Sequence, residues 1–262
     1  MSTWDVVRQA AVVGREDFRG FWSWRSWLSA WMLRIATSAA MWVLLGRMLG
    51  APAQAMFLLV GQAVVAGPTA VGMVIPASTW DRWEGTYPLV VVSPTSLLPV
   101  MIGRTAIWIA HGIGTSVATF LLLGLAFGMQ LPLSAAPALL GLVTVICVSS
   151  YCFMLALGAL INRVGALRNV AQNAAMPVLM AVCGVSVPVS FWPPWVQALA
   201  ACLPITHGLA AVRRVLQPEA ATPWLAEVGL ELGVGAAWLV VAALTMDWLA
   251  DAGRVDGSIE KG

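Results

Sequence analysis

Charge is what this sequence has least of. Asp, Glu, Lys and Arg make up 10% of its 262 residues, and Lys261 is the only lysine. An ordinary globular domain carries about 25% charged residues, which keep its surface in water. Here 60% of the residues are hydrophobic and the mean hydropathy is +0.85. The charge is too sparse for a soluble fold, so the excess apolar surface is expected to face lipid. A net charge of +2 is too small to point to nucleic acid. Cysteine is scarce as well: Cys147, Cys152, Cys183 and Cys202 lie in apolar stretches without CxxC spacing, which implies neither a disulfide framework nor a metal site. The two histidines, His111 and His207, stand far apart, and His111 is expected to pack within a membrane span. GxxxxGK(S/T), HExxH and GxSxG are all missing. The sequence therefore offers no phosphate-binding loop, no zinc-protease helix and no nucleophile elbow.

Long uncharged runs are what it does have. A bilayer core of about 30 Å takes roughly 20 helical residues, and six segments meet that length. They run about 28–49, 54–76, 104–128, 136–160, 171–190 and 226–248. The expected fold is all-α, one transmembrane domain spanning 1–262. Before the first span, over about 1–25, Trp4, Val7, Ala11, Phe18, Phe21 and Trp22 recur at helical spacing while Arg8, Arg15 and Arg19 fall on another face. That pattern predicts an amphipathic helix lying in the membrane interface, and Trp22, Trp24, Trp27 and Trp31 mark the headgroup level beside it.

Arg and Lys placement sets the expected orientation. With both termini in the cytoplasm, Arg8, Arg15, Arg19, Arg25, Arg82, Arg104, Arg163, Arg168, Arg254 and Lys261 lie inside. Only Arg47, Arg213 and Arg214 lie outside, as the positive-inside rule requires. Residues from about 191 to 216 are broken by Pro193, Pro194 and Pro204 into apolar runs too short to cross. Two short helices that dip into the outer leaflet and return are expected there. The last span is followed by a cytoplasmic tail over 249–262.

Three groups of residues invite a function. The loop after the second span reads Trp80, Asp81, Arg82, Trp83, Glu84, Gly85, Thr86, Tyr87, Pro88, with Ser93-Pro94 beyond. Its two Trp, three apart, share one helical face and suit either a groove on a partner or the headgroup layer. Arg213 and Arg214 end the broken segment, and Glu227 and Glu231, one turn apart, open the last span on the same side. Pairing between them is expected to pin the hairpin to the last helix. Within the spans, Gln62, Thr69, Thr115, Ser116, Thr119, Ser149 and Ser150 either line a pathway or bond between helices, and packing is the commoner use. Arg34, inside the first span, is expected to reach the inner headgroups along its aliphatic stem.

The run from Arg82 to Ser96, with its Glu-Gly-Thr and later Ser-Pro, resembles the signature loop of ABC-2 type transporter permeases. Asn173 to Pro177, the Pro193-Pro194-Trp195 turn and Leu203-Pro204-Ile205-Thr206-His207 with Arg213 resemble that family's fifth span and re-entrant hairpin. Tyr87-Pro88 stands where many relatives carry an acidic residue. The resemblance implies a dimer of six-helix subunits above two P-loop ATPase subunits, the second permease being the same chain or a different one. ATP and Mg would be bound by the ATPase and no cofactor by this chain. It assigns Trp80 to Thr86, with Trp83, Glu84, Gly85 and Thr86 at the centre, to the coupling of the two. It further implies export of a drug, lipid or lipid-linked glycan across the plasma membrane of a prokaryote. A self-sufficient secondary transporter or channel is the alternative; it would want paired ionisable groups near the midplane, and the charges cluster at the ends instead. A membrane-embedded enzyme is a further rival, for which the His and acidic inventory is thin.

Overall fold

A computed structural model describes residues 2–21, 23–48, 52–83, 96–128, 133–161, 168–216 and 223–256. The described residues form helices and connecting turns, with no strand among them. In chain order the helices are α1 (Thr3–Phe21), α2 (Trp24–Met48), α3 (Pro52–Val71), α4 (Val74–Trp83), α5 (Leu97–Thr105) and α6 (Ile107–Phe127). Then follow α7 (Ala136–Ile161), α8 (Arg168–Val182), α9 (Pro194–Ala201), α10 (Thr206–Leu216) and α11 (Trp224–Asp256). Each span is helical because a chain in lipid must satisfy its backbone groups internally.

Five of the expected spans are present as helices long and apolar enough to cross a membrane: Trp24–Met48, Gln54–Ser78, Leu97–Phe127, Ala136–Ile161 and Trp224–Trp248. The third begins several residues earlier than hydropathy predicts, because α5 and α6 join at Ala106. The fifth differs more. α8 has 15 residues, about 22 Å at the helical rise and short of the bilayer core. It stops before Gly184, whose φ is +83°, and Pro188 keeps the chain from resuming it. Hydropathy reads through that stop, since Val185, Val187 and Val189 are as apolar as a span. The bend expected of the broken segment is there: α9 and α10 meet at 89°. Pro194 supplies the first residue of α9, where a missing N–H costs nothing.

Helix α7 lies at the centre, packed on α11 along much of its length and on α3, α4, α6 and α10 elsewhere. Its neighbour pair α3 and α6 comes close at Gly67 and Gly112. A Cβ on Gly112 would lie 2.9 Å from the Gly67 carbonyl and 2.6 Å from a Val71 methyl. Beside it Ser116 donates to the Ala63 carbonyl at 2.7 Å. These are the small and hydroxyl residues that let helices approach where water supplies no driving force.

The N-terminal helix starts at a reciprocal cap. Ser2 Oγ accepts from the Asp5 N–H at 3.2 Å and the Asp5 carboxylate accepts from the Ser2 N–H at 3.1 Å. The face it buries is Val6, Ala10 and Gly14, against α5, while Trp4 stays 74% exposed. A Cβ on Gly103 would strike the Val7 carbonyl and Ala10, so α1 and α5 touch backbone to backbone. Arg104 donates to Asp17 at 2.9 Å across the same contact. His111 then ties α1, α2 and α6 together. Its Nε2 accepts from the Trp27 indole at 2.8 Å, and Phe18, Trp31 and Trp108 surround the ring.

Candidate functional site

Two ends of the bundle hold the sequence-predicted residues. Trp80, Asp81, Arg82 and Trp83 form the last turn of α4. Glu84, Gly85 and Thr86 lie outside the described residues. The next helix described after them is α5, on which α1 rests.

At the other end the hairpin is locked to α11. Glu231 is fully buried, and its two oxygens accept from the backbone N–H groups of Ile205 at 2.8 Å and Gly208 at 2.9 Å. A carboxylate there answers the free amides and positive end of α10. It also holds Ile205 at a φ of +81°, a conformation a β-branched residue otherwise avoids. Arg214 pairs with Glu227 at 2.9 Å. The other Glu227 oxygen lies 2.9 Å from His207 Nδ1, and His207 Nε2 lies 3.1 Å from the Ala201 carbonyl. Both ring nitrogens therefore face acceptors. Trp238 Nε1 donates to the Cys202 carbonyl at 2.9 Å. Arg213 turns the other way: it donates to the Gly184 carbonyl at 2.8 Å, with its guanidinium 3.5 Å from the centre of the Phe57 ring. The four charged residues singled out in the sequence thus do three jobs. Arg214 and Glu227 form an ion pair, Glu231 caps a helix, and Arg213 fastens the chain after α8 to the start of α3. His207 joins them through a contact that spacing along the chain does not announce.

Between the two ends lies a cavity of about 320 Å³ among α2, α3, α4, α7 and α8. Its polar lining is Arg34, Ser38, Gln62, Thr69 and Asn173. Gln62 is 4% exposed, and its amide nitrogen has no hydrogen-bond partner among the described residues. Arg34 is exposed, its guanidinium 5.7 Å from the Trp31 ring centre. Three helices are irregular where they border this space. α2 widens to a π-helical turn over Trp27–Met32. The second span breaks between Val71 and Val74, one turn after Pro68, and α8 contains Pro177. Such defects free backbone groups and let helices bend, and they recur at functional sites. The sequence offered Gln62 and Thr69 as either pathway or packing residues; both border the cavity.

A family model described as ABC-2 type transporter matches residues 12–216, most of the chain from within α1 to the end of α10. No curated protein and no solved structure matches the chain.

Proposed function

We propose, from the premise that this chain belongs to the ABC-2 type transporter family, that it is the membrane permease of an exporter driven by a separate ATPase polypeptide. Membership in that family makes it a membrane transport component of an ABC transporter. The family match is the observation that carries the reading, and the run of apolar helices agrees with it. These 262 residues hold no GxxxxGK(S/T), so the ATP site is assigned outside them.

In this reading ATP draws two ATPase subunits together beneath a pair of permeases. The segment from Trp80 to Thr86 passes that closure to the helices, a two-state element biased by a ligand bound elsewhere. α1 and α5 meet backbone to backbone, so a push on α5 from its N-terminal side would move α1 with it. The cargo, an amphipathic drug, lipid or lipid-linked glycan, would pass the cavity beside Gln62 and leave on the hairpin side. Both termini would then lie in the cytoplasm of a prokaryotic cell.

The test is affinity purification of the tagged full chain from membranes in mild detergent, with mass spectrometry of what accompanies it. A stoichiometric P-loop ATPase, lost on Trp83→Ala with Glu84→Ala, is the expected result. A chain that purifies alone from several detergents would return the assignment to a self-sufficient carrier.

A further inference from the structure

We propose that the cavity between α2, α3 and α8 recognises the acidic head of an amphiphile, a phosphate or carboxylate, and lays its alkyl tail on methionine. The proposal rests on the transport reading only in calling this ligand a cargo. Its grounds are the chemistry of the lining. Among the described residues Arg34 is the one charged residue of that lining, and no Asp or Glu shares it. The guanidinium has no carboxylate partner among the described residues, and it stands one helical turn beyond Trp31, 5.7 Å from that ring's centre. An exposed guanidinium without a carboxylate partner can meet an acidic group that enters the cavity.

Gln62 supplies the second ground independently. A buried amide N–H without an acceptor costs as much as a broken hydrogen bond, and Gln62 borders a space large enough for a ligand group. Guanidinium and amide N–H are both donors, so together they call for an acceptor-rich or negatively charged group. A cationic or donor-rich head would leave Gln62 unsatisfied and meet Arg34 as a like charge.

The rest of the wall fits a tail. Met73, Met154, Met176 and Met180 line the cavity from three sides. Unbranched thioethers reshape around alkyl chains of different form, and they suit a pocket that must hold and release its ligand. The acidic head comes from one of two sources, a phospholipid of the bilayer or a cargo, and their chemistry at Arg34 and Gln62 is the same.

The experiment is equilibrium binding of radiolabelled dodecyl phosphate to the full chain in discs of phosphatidylcholine. Saturable binding is expected, displaced by unlabelled dodecyl phosphate and not by dodecyltrimethylammonium. Arg34→Gln and Gln62→Leu should each weaken it about ten-fold or more, the value of one charge-assisted hydrogen bond. Gln62→Glu should abolish it, and Arg34→Lys should keep part of it. All four variants must give the wild-type elution profile, which separates lost recognition from lost fold. Discs with phosphatidylglycerol identify the source: competition marks a bilayer lipid, and undiminished binding marks a cargo. Equal displacement by the ammonium amphiphile, or binding unchanged in Arg34→Gln and Gln62→Leu, would overturn the proposal. No ATPase takes part, so a failure here leaves the transport reading in place, and an absent ATPase leaves this result in place.

Discussion

The hairpin end and the central cavity are both polar regions within an apolar protein, and they treat their polar groups in opposite ways. At the hairpin, Glu231, Glu227, His207 and Arg214 have protein partners at hydrogen-bonding distance, and Arg213 has one through its terminal nitrogen although its Nε has none among the described residues. In the cavity, the Gln62 amide nitrogen has none among the described residues, and Arg34 faces open space. The difference separates architecture from recognition. A satisfied buried network fixes one geometry, because every alternative leaves a group unpaired. An unsatisfied group beside a void holds binding capacity in reserve for a ligand.

The largest expected effect tests the closed end. Glu231→Ala removes the acceptor for two buried backbone N–H groups, at about 1–3 kcal/mol each. Thermal melting in detergent should fall steeply, with little folded protein recovered; Glu231→Gln, which keeps one acceptor oxygen, should fall less. A melting curve for Glu231→Ala like that of the wild type would show that the hairpin is not held there.

A second variant tests the seam on the loop side. Gly103→Val places a side chain where the Val7 carbonyl and Ala10 already sit. Overpacking of this kind costs about 1–3 kcal/mol and should lift α1 away. Limited proteolysis should then cut within residues 3–21 far faster than in the wild type.

His207→Ala comes next. It deletes the contacts to Glu227 and Ala201 but leaves the Arg214–Glu227 pair, so about 1–2 kcal/mol is expected. Double-mutant analysis with Glu227→Gln should show strong coupling, since the two residues share one network. Additive effects would mean that the histidine acts alone.

The smallest effect on stability is expected from Arg34→Gln, within about 0.5 kcal/mol, because the side chain is exposed and unpaired by a carboxylate. Binding should change while melting does not. A large drop in melting temperature would move Arg34 from recognition to architecture and erase the contrast between the two regions.

Much of the fold was legible because lipid makes strong demands on a sequence. Runs of about 20 apolar residues mark α2, α7 and α11, and Pro193, Pro194 and Pro204 mark the bent pair α9 and α10. The end of α8 was not legible, since a positive φ at Gly184 breaks a helix without breaking the hydropathy. The face of α1 that packs on α5 was not legible for a related reason. Large apolar residues signal burial by area, whereas Ala10 and Gly14 are buried because α5 comes too close for anything larger. At the hairpin end the charges were visible, but their division of labour depends on depth. Glu227 and Glu231 lie on one helical face, yet only the second meets the amides of Ile205 and Gly208. The cavity was half visible. Gln62 stood out as polar in an apolar run, and nothing in the sequence says that its amide nitrogen is left without a partner.

The most direct test of the account is ATP hydrolysis by the copurified complex in lipid discs, wild type against Trp83→Ala with Glu84→Ala. The account predicts hydrolysis that depends on the permease and falls about ten-fold or more in the double variant, a loss of about 1.4 kcal/mol or more in coupling. Equal hydrolysis in the two, or no ATPase associated with the wild-type chain at all, would contradict it.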